Sequence, residues 1–380
     1  MPAEIVDLLK VSDPEAAMRR AVGLLDDGKL VILPTETVYG IAGRLDHAES
    51  VESLRRFRDA SGSTSPFTPH VESMDDALTF LGRPSGMALR LMRKLWPGPV
   101  ALSFDLTSEE RAGALSLTKL SAAELFNQTT LTLRCPDNLA TGAVLGMTQG
   151  PVGMVRLPGD QVGKPDLAAV ANQLGDEIAL VLDMGPTKFS KPSTMIKVEG
   201  DAYRISRAGV FDDRIIERQL KSMILFVCSG NTCRSPMAAA VARKLIADKL
   251  GVAESALESR GVIVQSAGTF AVPGMRATPQ AVEAASQMGG DLSTHRSKPV
   301  SLELLNQADH VFAMGRSHEH QVVAISPEAQ SRVEPMDPEG DVEDPIGGSV
   351  SLYTELATKF RQLLEPRLER FLKEQGISPA

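Results

Sequence analysis

Cys228 and Arg234 stand six positions apart in VCSGNTCRSP, Val227 to Pro236, directly after the continuous apolar run MILFV, Met223 to Val227. A run of that kind reads as a strand buried on both faces. The residues that follow, Ser229, Gly230, Asn231, Thr232 and Cys233, are small enough for a tight loop, and Ser235-Pro236 carries the marks of a helix start, with serine as cap and proline as first helical residue. A loop ending on a helix N-terminus presents unpaired N–H groups and the positive end of a dipole, which suits a phosphoryl group. Arg234 adds a guanidinium that can grip two phosphoryl oxygens at once. The same field favours the thiolate form of Cys228, and a thiolate can attack phosphorus in line while the loop holds the equatorial oxygens. Such chemistry requires an acid for the leaving group. Two Asp-Pro pairs, Asp337-Pro338 and Asp344-Pro345, place a carboxyl in a stiffened loop, and residue physics does not choose between them.

The elements that must position these groups follow from the patterning. Residues 211–222, FDDRIIERQLKS, are charged and lack strand alternation, so a domain boundary is placed near 212–222. After it come a strand at Met223–Val227, a helix at Pro236–Leu250, a strand at Val262–Ser266, a helix at Thr278–Gln287, a strand at His310–Ala313 and a long helix near Ser351–Lys373. This βαβ order predicts a parallel sheet with ligands beyond the carboxyl ends of its strands. Before the boundary, a helix around Glu15–Leu25 leads into KLVILPTE, and TTLTLRC, VGMVRL, IALVLDM and STMIKV read as further strands.

The chain has 380 residues, 43% hydrophobic and 23% charged, which accommodates two or three cored domains and excludes a disordered chain. No apolar run approaches a membrane span, and the acidic start MPAEIVDLLK is unlike a secretory signal, so a cytoplasmic protein without membrane partners is expected. A net charge of −8, from 40 basic and 48 acidic residues, argues against bulk nucleic-acid binding. Three cysteines, Cys135, Cys228 and Cys233, are too few for a disulfide scaffold, and no second ligand pair accompanies Cys228 and Cys233, so no metal or cofactor is predicted. His70, His310, His318 and His320 show no ligand spacing and read as surface or core residues.

Residues 223–380 resemble the low-molecular-weight protein-tyrosine phosphatases along their whole length. The signature loop is VCSGNTCRSP, and SAGT (Ser266–Thr269), ATPQAVE (Ala277–Glu283), HRSKPV and EDPIGGS (Glu343–Ser349) follow in the order of bacterial members. The resemblance implies a flavodoxin-like, four-stranded parallel sheet flanked by helices and no metal. It implies Cys228 as nucleophile, Arg234 as phosphate clamp, Asn231 and Ser235 as supports of loop and thiolate, and Asp344, in its DPxGG context, as general acid. A phosphorylated protein is then the substrate. Thr232 resembles the threonine of the protein-arginine phosphatase branch, and Ile346-Gly347 stand where tyrosine-directed relatives carry aromatics, so phosphoarginine is expected to be accepted at least as well as phosphotyrosine. Arsenate reductases share the loop, but the thioredoxin-linked type uses two further cysteines, and this sequence has none after Cys233. Cys228 and Cys233 could instead form a protective disulfide.

In residues 1–215, ILPTETVYGIAG (Ile32–Gly43), LWPGPVALSF (Leu95–Phe104) and GPTKFSKPSTMIKV (Gly185–Val198) resemble the YrdC-like threonylcarbamoyl-AMP synthase family, over roughly residues 10–212. That implies a twisted open sheet, with Thr35 and Thr37 lining a cleft and Ser193, Thr194 and Arg207 near a nucleotide. Two elements of active members are missing. DASGSTS (Asp59–Ser65) stands in place of a Lys-x-Arg pair, and Val155-Arg156-Leu157 in place of Ser-x-Asn, so the charge for adenylate formation is expected to be lacking. The alternatives for this half are residual synthase activity in tRNA modification, or a nucleotide- or RNA-binding regulatory domain with the phosphatase as effector. For RNA, Arg55, Arg56, Arg58, Arg90, Arg93 and Lys94 are locally basic, although an ordinary solvated helix face is the preferred reading of them.

Overall fold

The computed structural model describes residues 3–158, 165–375 and 377, and the chain divides into two compact units, Met1–Glu217 and Arg218–Ala380. In the second unit, four strands lie in the order Val262–Gly268, Ser222–Cys228, His310–Ala313, Val333–Pro335, all parallel. The strand Ser222–Cys228 is buried throughout. Its alternation sends Ile224, Phe226 and Cys228 to the face covered by the helices Arg234–Leu250, Pro279–Gln287 and Val350–Glu374. Met223, Leu225 and Val227 point the other way, against Leu305, Val311 and Val322. Burying each large apolar side chain here contributes about 2 kcal/mol, so a one-residue slip of this strand would cost both faces at once. Register therefore holds Cys228 at the carboxyl end of the strand, on the same face as the helix Arg234–Leu250.

Helix ends follow the local chemistry. Asp13 accepts from the Ala16 amide at 2.8 Å ahead of the helix Pro14–Asp26, and Thr278 accepts from the Ala281 amide at 3.3 Å ahead of Pro279–Gln287. The helix after the Cys228 loop is different. It begins at Arg234, two residues earlier than its Ser-Pro signal predicts, with Cys233 at the cap position and no side chain closing its first turn. Ser235 lies inside the helix and is not a cap, because its hydroxyl is turned to the sulfur of Cys228. The charged segment 211–222 also holds more structure than its composition suggests, since it forms the helix Asp213–Gln219 and supplies Ser222 to the strand.

The first unit is built on a mixed sheet of eleven strands among the described residues. The strand Leu30–Leu33 pairs in parallel with Ile178–Asp183 and antiparallel with Gly40–Arg44, which pairs antiparallel with Val152–Arg156. Thr130–Arg134 and Thr194–Glu199 flank Val100–Asp105. The helix Pro14–Asp26 packs its buried Ala17, Ala21 and Leu25 against Val31, Leu33 and Leu180.

Candidate active site

In the second unit the loop 229–233 closes over the end of the strand. Asn231 adopts φ 55°, a left-handed conformation that asparagine tolerates better than most residues. Its amide then donates to Cys228 Sγ at 3.3 Å. Its fully buried side chain donates to Ser235 Oγ at 3.0 Å and Ser266 Oγ at 2.9 Å, and accepts from the Lys298 amide at 3.0 Å. His295 Nε2 lies 2.8 Å from the Asn231 carbonyl, and burial holds this imidazole below its ordinary pKa. Ser235 Oγ is 2.9 Å from Cys228 Sγ and 3.3 Å from the Ala267 carbonyl, so its one proton serves one or the other. Gly268 makes the close approach possible, because a Cβ there would stand 2.4 Å from the Ser229 carbonyl oxygen.

Arg234 is 8% exposed, and its fork is divided. Nη1 donates to the Val342 carbonyl at 3.0 Å, and Nη2 to Asp344 Oδ2 at 2.5 Å, with Ser229 Oγ at 3.5 Å. Asp344 is half exposed beside it, whereas Asp337 is buried, ion-paired with Lys359 and bonded to the Glu339 amide at 3.0 Å. Lys359, foremost, holds the Asp337 carboxyl below its usual range. Only Asp344 of the two Asp-Pro carboxylates is thus joined to the arginine of the loop. Cys233 Sγ, also buried, accepts from Tyr353 OH at 3.4 Å and lies 3.6 Å from Thr278 Oγ1; both loop cysteines are free thiols.

The first unit holds a cavity of about 140 Å³ whose lining includes Thr35, His70, Arg134, Arg156, Ser193 and Arg207. Arg134, at the end of its strand, donates to Glu36 Oε1 at 2.8 Å, Thr37 Oγ1 at 2.6 Å and Thr35 Oγ1 at 3.3 Å, and its Nε is buried with no partner among the described residues. Arg207 donates to the Ser193 carbonyl at 2.9 Å. Burial, reinforced by Arg156 and Arg134, pulls the Arg207 pKa below its usual value. His70 bonds the Thr68 carbonyl through Nδ1 at 2.9 Å, and burial lowers it to about 3.

Residues 223–376 match the family described as low molecular weight phosphotyrosine protein phosphatase, and residues 23–209 the Sua5/YciO/YrdC family described as telomere recombination. A protein-arginine-phosphatase of Bacillus subtilis is 37% identical over 157 residues, 40% of this chain and 98% of that protein. The chain belongs to the low molecular weight phosphotyrosine protein phosphatases. Its first unit belongs with the YrdC-like proteins, since a putative threonylcarbamoyl-AMP synthase of Mycobacterium tuberculosis is 31% identical over 54% of this chain and 92% of that protein. Among solved structures, a mutant of the Bacillus subtilis protein YwlE is 35% identical over 40% of this chain and 98% of its own, with a TM-score of 0.35.

The phosphatase unit brings Cys228, Asn231 and Ser235 into one hydrogen-bonded cluster and Ser229, Arg234 and Asp344 into a second beside it, and Thr232 and Cys233 lie in the same loop. The YrdC-like unit brings Thr35, Ser193 and Arg207 to its cavity. Thr37 stands behind Thr35, holding Arg134. Thr194 is spent on structure, since its hydroxyl donates to the Phe211 carbonyl at 2.7 Å and accepts the Phe211 amide at 2.9 Å. The cavity is not without basic residues, although one of them, Arg134, is paired with Glu36. Arg134, Arg156 and Arg207 all reach the cavity, so positive charge is present although the Lys-x-Arg and Ser-x-Asn elements are not.

Sequence reading missed His318, whose Nε2 lies 2.8 Å from Ser229 Oγ, along with His295 and the buried Glu36–Arg134 pair. HRSKPV offered a signal for His295; no local pattern flags the other two. The basic residues considered for RNA are engaged. Arg55 pairs with Glu124 and Glu52, Arg56 with Glu177, Arg58 with Asp59, and Lys94 is buried.

Proposed function

We propose that the phosphatase unit hydrolyses phosphorylated proteins through a phosphocysteine at Cys228, and that phosphoarginine is accepted at least as well as phosphotyrosine. The observation that carries this reading is the Cys228 sulfur, which receives the Asn231 amide at 3.3 Å beneath a loop whose Arg234 is bonded to Asp344. The thiolate attacks phosphorus as the P–O or P–N bond of the substrate breaks. Arg234 exchanges Asp344 for the phosphoryl oxygens, and the freed Asp344 carboxylate takes a proton from solvent and gives it to the departing oxygen or nitrogen. In the second step Asp344 takes a proton from water, the water oxygen bonds to phosphorus, and the S–P bond breaks to release phosphate and restore the thiolate. Ser229, Gly230, Asn231, Thr232, Cys233 and the first-turn amides at Ser235 supply the phosphate cradle.

Thr232 in the loop and an aliphatic Ile346 two residues after Asp344, together with the similarity to a protein-arginine-phosphatase over nearly its full length, favour phosphoarginine. The three free thiols suit a reducing compartment such as the cytoplasm, and no described helix is long and apolar enough to cross a membrane. For the YrdC-like unit, the three cavity arginines and the Arg134 Nε, unpartnered among the described residues, support an anionic ligand such as a nucleotide. The neutralised arginines of the helix Ala48–Ala60 speak against RNA on that face.

The test is phosphate release from a phosphoarginine peptide and a phosphotyrosine peptide by the wild type and Cys228→Ser. Turnover is expected on both with wild type and on neither with the variant. Turnover by Cys228→Ser refutes the covalent route, and a strong tyrosine preference refutes the substrate assignment.

A further inference from the structure

His318 is the third residue of the helix Arg316–Ile325, and its side chain is almost wholly enclosed, at 5% exposure. Nε2 lies 2.8 Å from Ser229 Oγ, while Nδ1 is buried with no partner among the described residues. Ser229 directly follows the nucleophile, and its Oγ also lies 3.5 Å from Arg234 Nη2. We propose that His318 is a positioning residue: it donates from Nε2 to Ser229 Oγ and so turns the Ser229 O–H toward the bound phosphoryl group. This inference rests on the Cys228 reading above and assigns a further donor to the same site.

The argument is one of proton counting. Burial foremost, then the nearby Arg234 charge, holds His318 below its ordinary pKa against the opposing pull of Asp341, Asp344 and the Gly315 carbonyl, so at neutral pH the ring carries one N–H. Placing that proton on Nδ1 would leave a buried donor with no aligned acceptor, only the Gly315 carbonyl lying near the ring, whereas native structures pair buried donors well. Placing it on Nε2 gives it the Ser229 oxygen. A serine hydroxyl has two acceptor sites and one proton. With His318 and Arg234 both presenting N–H to Oγ, the acceptor sites are filled and the hydroxyl proton is left over. The acceptor that enters this space during turnover is the phosphoryl group that Arg234 grips. A purely packing role would be better filled by an apolar side chain, which leaves no unpaired nitrogen behind.

The experiment compares the full chain with Ser229→Ala, His318→Ala, His318→Gln and the Ser229→Ala/His318→Ala double variant, using p-nitrophenyl phosphate as substrate and inorganic phosphate as inhibitor. Removing one donor from an anionic transition state costs roughly 100- to 1000-fold in rate when the donor meets the developing charge directly. A rim hydroxyl is expected to give roughly a 10- to 100-fold loss in kcat/KM, smaller than that limit. Ser229→Ala and His318→Ala should each show it, and each should weaken inhibition by phosphate. The double variant should be no worse than Ser229→Ala, and His318→Gln, whose amide nitrogen reaches the Nε2 position, should recover most of the loss. Two outcomes overturn the inference: Ser229→Ala within twofold of wild type, or two single losses that multiply in the double variant. Nitrogen-15 shifts of His318 in the wild type give a readout that needs no variant to fold: a proton on Nε2 is expected, and a proton on Nδ1 overturns the assignment. Loss of turnover in Cys228→Ser alongside an unaffected Ser229→Ala would sink this inference alone, whereas activity in Cys228→Ser would sink the reading beneath it.

Discussion

Replacing Asn231 by alanine tests whether the loop is held as its hydrogen bonds imply. The side chain makes three bonds inside a fully buried site, to Ser235 Oγ, Ser266 Oγ and the Lys298 amide, at 3.0, 2.9 and 3.0 Å. Each contributes about 1 kcal/mol net. Alanine must also hold φ 55°, which costs about another 1 kcal/mol. The expected loss is therefore about 4 kcal/mol, against a typical total of about 5–15 kcal/mol for a folded domain. For a unit of this size each kcal/mol moves Tm by roughly 2–4 °C, so a fall of roughly 8–16 °C is expected in the phosphatase transition. The Asn231 amide would also leave Cys228 Sγ, and alkylation of Cys228 by iodoacetamide should slow at neutral pH. Calorimetry and the alkylation rate read the two effects separately. A Tm within about 3 °C of wild type and an unchanged alkylation rate would refute the reasoning, since neither the three bonds nor the left-handed turn would then be contributing.

Asp344→Asn is expected to lower kcat by roughly 100- to 10,000-fold by removing the proton donor, while Asp337→Asn, whose carboxylate is tied to Lys359, should alter stability more than turnover; steady-state kinetics of both variants decides between the two Asp-Pro pairs. His70 makes the first unit acid-sensitive. The unfolded chain takes a proton on this imidazole near pH 6.5 and the folded one only near pH 3, so stability present above about pH 7 is lost progressively as pH falls between these values. His70→Asn, which can still donate to the Thr68 carbonyl, should flatten that part of the pH–stability curve in denaturant titrations. Because the Lys-x-Arg and Ser-x-Asn elements are missing, incubation with ATP, threonine and bicarbonate should release pyrophosphate no faster than a control without enzyme; release above that level shows the cavity arginines compensating for them.

The nucleophile loop and its frame were legible in the sequence because their signals are local. A short apolar strand, small loop residues, an arginine at fixed spacing and a proline-led helix all act within a dozen positions of one another, where period and steric preference decide the outcome. The choice of Asp344 over Asp337 was available only through a family resemblance, and the structure shows its physical basis: one carboxylate meets Arg234, and the other is enclosed with Lys359. The Ser-Pro signal misled by two residues because Ser235 has a stronger partner in Cys228 than in its own helix.

What the amino-acid order determined by itself was the existence of a thiol and a guanidinium at a strand-to-helix turn, since chain geometry over seven residues leaves them little room to be elsewhere. Which groups surround them was decided by tertiary structure. His295 and His318 come to the loop from 64 and 89 residues away, and Arg134 comes to Glu36 from 98, through strand register and helix packing that no local pattern encodes. The basic run of the helix Ala48–Ala60 shows the same division in reverse: the charges are plain in the sequence, but only the fold shows carboxylates such as Glu124 and Glu177 placed against them.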